Sequence, residues 1–218
     1  MKTLKKDLLL LLVVIAPMAY TAFIWDKLPE KVPMHWNVYG EVDRYGERSE
    51  LAALVVILPL ISYLLFLVIP YIDPKKRIKE MGGKYNSLNW IITGTMSWIS
   101  FMIIYHAINE STNLGSGIFI GIGIMIMLLG NYFKTIRPNY FVGIRTPWTL
   151  ESDQVWKETH ALSGKIWMVG GVVLILTALI PNKIISFTLF MLTIAVIVII
   201  PFVYSYRRYK KEMELKHE

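Results

Sequence analysis

The sequence predicts an all-α integral membrane protein with about six transmembrane helices and both termini in the cytoplasm, and three observations carry that prediction. The 218 residues are 55% hydrophobic with a mean hydropathy of +0.48, more apolar than a soluble domain usually is. Six apolar stretches recur, Leu8 to Trp25, Leu51 to Ile72, Leu88 to Ile108, Ile118 to Phe133, Ile166 to Ile180 and Ile184 to Tyr204, and none holds an Asp, Glu, Lys or Arg in its interior. Finally, 18 of the 23 Lys and Arg residues fall in the connections that share the N-terminus's side of the membrane, which marks that side as cytoplasmic.

Each stretch approaches the roughly 20 residues that cross about 30 Å of hydrocarbon, the fourth and fifth being short. Without water to satisfy N–H and C=O groups, such stretches must be helical. The first follows Lys2, Lys5 and Lys6, a pattern shared by signal peptides, but Ala19-Tyr20-Thr21-Ala22 is a poor cleavage site and the reading is a retained helix. Pro17 and Pro59 are expected to kink or end their helices. Gly117, Gly121 and Gly130 in the fourth stretch, with Gly164, Gly170 and Gly171 near the fifth, allow close backbone approach, and Gly117-x-x-x-Gly121 is a weak dimerisation pattern. The chain divides at residue 72: residues 1–72 form a helical pair with an outer loop at 26–50, and residues 73–218 form a four-helix region with an inner loop at 134–165.

Composition narrows the chemistry. There are no cysteines, so disulfides and thiolate metal sites are excluded. The formal charge of +7 is spread over membrane boundaries instead of one soluble face, so nucleic acid is not a direct partner. The chain has no H-E-x-x-H and no G-x-S-x-G, which argues against an enzyme, and spans without ionisable residues argue against proton-coupled transport. No cofactor is implied. In the outer loop, one His with loosely spaced carboxylates is a weak metal set. His35, Trp36, Asn37, Gly40 and Asp43 read better as a compact turn platform, with Asn37 and Gly40 at tight bends and Asp43 bonding nearby backbone N–H groups. Trp36, Tyr39 and Tyr45 would sit at the headgroup boundary. Arg207, Arg208, Lys210 and Lys211 form a basic cluster suited to anionic lipid.

The inner loop is the most specific stretch. Between Arg137 and His160, Pro138, Gly143 and Pro147 interrupt regular structure, so the first half reads as a shaped loop. From Ser152, an N-cap followed by Asp153 and by Val155, Thr159, Leu162 and Ile166 at helical spacing, the second half reads as an amphipathic helix entering the membrane. Trp148, Trp156 and Trp167 suit the headgroup level. Arg145 is expected to present a fork to a carboxylate or a lipid phosphate, and His160, one turn after Trp156, to stack on that ring. An ordinary interfacial linker would not specify Arg137, Asn139, Gly143, Arg145, Thr146, Pro147, Trp148, Trp156 and His160 together.

That combination, N-Y-x-x-G-I-R-T-P-W-T-L from Asn139 followed by V-W-x-x-T-H and a glycine at Gly164, resembles the signature of the SdpI family of bacterial membrane proteins. Ala161 departs from it, standing where a basic residue is expected. A second block, P-x-H-W-N-x-x-G-x-x-D-x-x-G from Pro33 to Gly46, resembles the domain of unknown function that often precedes that signature. The resemblance implies a multi-pass protein of the bacterial cell membrane that confers immunity to a secreted antimicrobial peptide. That peptide would meet the outer loop. The resemblance further implies signalling, with a cytosolic repressor held at the inner loop. The contrasting readings are a small membrane transporter or lipid-handling protein and a structural subunit of a larger complex.

Overall fold

A computed structural model describes residues 2–37, 39, 41–74, 76–109 and 114–216. All six apolar stretches lie within helices apart from a few terminal residues: α1 (Lys2–Phe23), α2 (Arg48–Ile72), α4 (Gly83–Ile108), α5 (Leu114–Phe133), α7 (Asp153–Thr177) and α8 (Lys183–Leu215). Two short helices, α3 (Arg77–Glu80) and α6 (Pro147–Glu151), lie in connections. Five of the long helices are apolar and long enough to cross a membrane, and the apolar part of α1, Asp7–Phe23, is shorter. The fifth apolar stretch is not short after all, because the amphipathic segment from Asp153 continues into it as one 25-residue helix.

The 26–50 connection adds strand structure to this helical frame. Residues Lys31–Trp36 (β1) and Val42–Glu47 (β2) pair antiparallel, from Lys31 opposite Glu47 to Trp36 opposite Val42, with irregular register around His35. Pro33 lacks an N–H and is tolerated because each strand of a two-stranded ribbon keeps one unpaired edge. Val32 is fully buried against Leu51 and Val55 of α2 and Ile103 and Ile104 of α4, which anchors the ribbon to the bundle. Gly46 is required by close packing, since a Cβ there would lie 2.7 Å from Met34 Cγ. Glu47 ends β2 and caps α2 by a reciprocal box with Glu50, so ribbon and helix form one continuous unit.

Glycines set the closest helix contacts. On α5 and α7, a Cβ on Gly171 would fall 2.6 Å from the Gly123 carbonyl and one on Gly164 2.7 Å from the Gly130 carbonyl. The two backbones therefore touch directly. Gly117 and Gly121, by contrast, accept Met102 and Trp98 of α4, so the G-x-x-x-G pattern is used inside the chain. Neither Pro17 nor Pro59 ends its helix. The helices continue through both, with the Thr21 hydroxyl donating to the Pro17 carbonyl and the Ser62 hydroxyl to the Pro59 carbonyl.

The ribbon packs with the start of α2 and the end of α4, whereas the 134–152 connection packs with the end of α2 and the start of α4, so the two occupy opposite ends of the bundle. One apolar cluster joins the ribbon to Ile24, Leu51 and Ile104; the other joins Phe66, Ile78, Tyr85, Phe133 and Trp156.

Candidate functional site

At one end of the bundle the signature residues fold onto one another. Asn139, 2% exposed, has its whole amide engaged: Oδ1 accepts from the Phe141 and Val142 N–H groups at 2.8 and 2.7 Å, and Nδ2 donates to the Arg137 and Val142 carbonyls at 2.8 and 3.0 Å. A four-point anchor of this kind fixes the loop's shape. Gly143 follows at φ +113°, where a Cβ would fall 3.1 Å from the Trp156 ring and closer still to His160 Nε2. Only glycine allows that approach.

His160 closes the loop onto α7. Its Nε2 accepts the Ile144 N–H at 2.9 Å and its Nδ1 donates to the Trp156 carbonyl at 2.8 Å, partners that fix an uncharged tautomer. Its ring lies on Trp156 with centroids 4.1 Å apart and planes at 20°, the stacking expected from their spacing. Trp156 is 1% exposed and donates its indole N–H to the Ile136 carbonyl. The three tryptophans of this stretch turn inward and spend their indole N–H groups on acceptors within the protein. Trp156 is core, Trp167 donates to the Ile197 carbonyl, and Trp148 donates to Ser205 on α8 while its ring meets Phe202 and Tyr206.

Pro147 also behaves differently from a simple breaker. Thr146 caps α6 through a reciprocal box with Thr149, and Pro147 takes the first helical position, where its missing N–H costs nothing. Ser152 caps α7 as expected, accepting from the Val155 N–H. Arg145 is exposed and donates from Nη1 to the Tyr140 carbonyl at 2.6 Å; no carboxylate among the described residues meets it, so the rest of its fork faces outward. Arg137 pairs with Glu80 at 2.9 Å, and Arg77 donates to the Pro138 carbonyl, tying the loop to α3.

The polar end of α8 then clamps this cap. Arg208 makes a two-point pair with Glu158, the Ser152 hydroxyl donates to Glu212 at 2.6 Å, and the Tyr209 hydroxyl donates to Glu151 at 2.7 Å. These partners are 50 to 60 residues apart. Local pattern could not pair them, although three lie in or beside the basic cluster assigned to lipid. Arg208 is therefore an internal clamp, leaving Arg207, Lys210 and Lys211 for a surface role.

At the opposite end, the ribbon brings together most of the outer candidates. His35 and Asp43 face each other with Nδ1 and Oδ1 2.6 Å apart, so Asp43 binds a side chain and not the backbone N–H groups expected. That task falls to Asn37, whose Oδ1 accepts from the Tyr39 and Glu41 N–H groups. Gly40 lies outside the described residues. Among the described residues, no group of three His, Cys, Asp or Glu side chains is gathered that could hold a metal ion. Trp36 is half-buried and, with Pro33, Met34, His35 and Asn37, forms one wall of a cavity of about 360 Å³. The other walls come from Leu54 on α2, Ile103 on α4, the first turns of α5 and the start of α8 at Lys183, Ser186 and Phe187. Lys183 was not singled out by the sequence, being a lone charge before an apolar run. The bundle thus carries an apolar pocket at one end and a hydrogen-bonded cap at the other.

Residues 135–205 match the SdpI/YfhL protein family, and residues 12–61 match a domain of unknown function, DUF1648. The chain is also similar to the immunity protein SdpI of Bacillus subtilis (strain 168), at 24% identity over 208 residues that cover 95% of this chain and 98% of the relative. No solved structure matches.

Proposed function

We propose that this chain, which belongs to the SdpI family, is an immunity protein of the bacterial cell membrane that shields the cell from a secreted antimicrobial peptide. The observation that carries this reading is the match to an immunity protein along almost the whole of both chains, which leaves no part of the relative without a counterpart large enough to hold a separate activity. In the reading, the ribbon end faces outward, which the bias of 18 basic residues to the other side supports, and meets the peptide before or as it enters the bilayer. His35, Trp36, Asn37 and Asp43 on the ribbon are then the first groups it encounters.

The second half of the proposal is signalling. The cap built on Asn139, Gly143, Thr146, Pro147 and Trp148 faces the cytoplasm and is clamped to α8. A peptide bound at the ribbon end, where α8 begins, acts on the cap through that single helix. Arg137 and Arg145 present cationic groups from a fixed backbone, suited to acidic groups on a cytosolic repressor. Signalling requires two arrangements of the cap and α8 with different affinities for the repressor. The test of immunity is survival: the chain is expressed in a sensitive bacterium and challenged with a panel of membrane-active peptides. Recruitment of a cytosolic protein to the membrane tests signalling separately.

A further inference from the structure

The cavity under β1 has a chemistry of its own. Met34, Leu54, Ile103, Ile118, Phe119 and Phe187 make it mostly apolar. One wall carries charge of a single sign: Lys183, exposed at the first turn of α8, has no ion pair or hydrogen bond among the described residues, whereas His35 is already paired with Asp43. The first turns of two long helices, α5 at Gly115 and Ser116 and α8 at Lys183, border the same space. Their positive dipole ends add to the ammonium group, and a cation at a helix N-terminus is itself unfavourable until an anion joins it. At about 360 Å³ the cavity is at the small end of the roughly 300–1,000 Å³ of ligand sites, too small for a two-chain lipid and sufficient for a residue or two.

We propose that this cavity seats the C-terminal end of an apolar peptide, its final side chain between Leu54, Ile103 and Phe187 and its carboxylate against Lys183. This rests on the immunity reading for the identity of the ligand as a peptide, and it locates recognition in the joint between the ribbon and the helices instead of on the ribbon's exposed tip. It also gives a physical reason for the ribbon to be packed on this bundle, since neither alone encloses the space.

The test uses the full chain in lipid nanodiscs and a defined probe, N-acetyl-Leu-Leu followed by a C-terminal benzoylphenylalanine, made once with a free carboxylate and once as the amide. After irradiation, cross-links are mapped by mass spectrometry. Labelling of Met34 or Phe187 that falls about tenfold with the amide and with Lys183→Gln supports the site. Labelling that ignores the carboxylate, or that appears equally at lipid-facing Val169, overturns it. In parallel, Lys183→Gln and Ser116→Trp are compared with the parent chain for survival against any peptide the parent resists. Lost protection at unchanged membrane levels supports the site. Retained protection overturns the cavity as the toxin's seat and leaves immunity standing. Carboxylate-dependent labelling without protection against any peptide overturns the immunity reading and leaves the cavity as a peptide site.

Discussion

His160 lies flat on Trp156, with ring centroids 4.1 Å apart, and uses the nitrogen facing away from the helix to hold the Ile144 N–H. The stack and the hydrogen bond together make α7 the floor of the signature loop. The account predicts that His160→Ala loosens the cap without altering insertion, whereas His160→Gln, able to accept the same N–H, retains part of it. The loss for alanine is expected at about 2–4 kcal/mol, the scale of a buried aromatic contact plus a donor left unpaired. Proteolytic nicking within residues 134–152, against unchanged total protein in the membrane, measures it.

Gly143 is where that floor meets the loop. Gly143→Ala forces a side chain into the His160–Trp156 stack at φ +113°, and destabilisation of about 2 kcal/mol or more is expected. Gly94→Ala, in a helix and with nothing within 4 Å of the added methyl, is expected to be neutral or slightly stabilising. Thermal denaturation of the two variants in the same detergent gives the comparison.

The clamp between Glu158 and Arg208 is a pair of partly exposed side chains, so its net worth is modest, about 1 kcal/mol. Glu158→Arg and Arg208→Glu should each open the cap, and the double reversal should recover part of the loss, the coupling being read from a double-mutant cycle. Because the chain has no cysteine, Ser152→Cys with Glu212→Cys offers a direct readout. Cross-linking should be efficient in the parent background and fall in either single reversal.

Arg145 contributes one hydrogen bond to its own loop, so Arg145→Lys should leave stability nearly unchanged. If the outward part of its fork binds an acidic partner, recruitment of a cytosolic protein should fall with lysine nearly as far as with alanine, by the roughly 1.5–3 kcal/mol of a charged hydrogen bond. Equal recruitment by the lysine variant would reduce Arg145 to a positive charge at a membrane boundary.

Much of this was legible in the sequence because it is local. The spans follow from uninterrupted apolar runs, the start of α7 from Ser152 and Asp153, and the His160–Trp156 stack from a spacing of one helical turn. The ribbon was not, since Pro33 and an irregular register hide strand alternation, and its anchoring residue Val32 is recognisable only once α2 and α4 are in place. Gly123 escaped notice in an apolar run, although it touches Gly171 as closely as Gly130 touches Gly164. The inward turn of the tryptophans depends on acceptors at Ile136, Ser205 and Ile197, the last two 57 and 30 residues from the rings they hold. Pro147 was ambiguous because the same ring that breaks a helix interior is well suited to its first position.

Orientation is tested by reporter fusions. Fusions after residue 48 should report the outer side, and fusions after residues 150 and 212 the cytoplasm. A cytoplasmic signal after residue 48 would place the ribbon and its cavity out of reach of a secreted peptide.

The most direct measurement is survival of a sensitive bacterium carrying the chain, compared with an empty vector, across a panel of membrane-active peptides. The account predicts that, for at least one peptide, cells with the protein in their membrane survive a dose that kills the control, and that Trp36→Ala or Asp43→Ala weakens this protection at unchanged protein level. Equal killing of both strains by every peptide, with the protein present in the membrane at normal amounts, would contradict it.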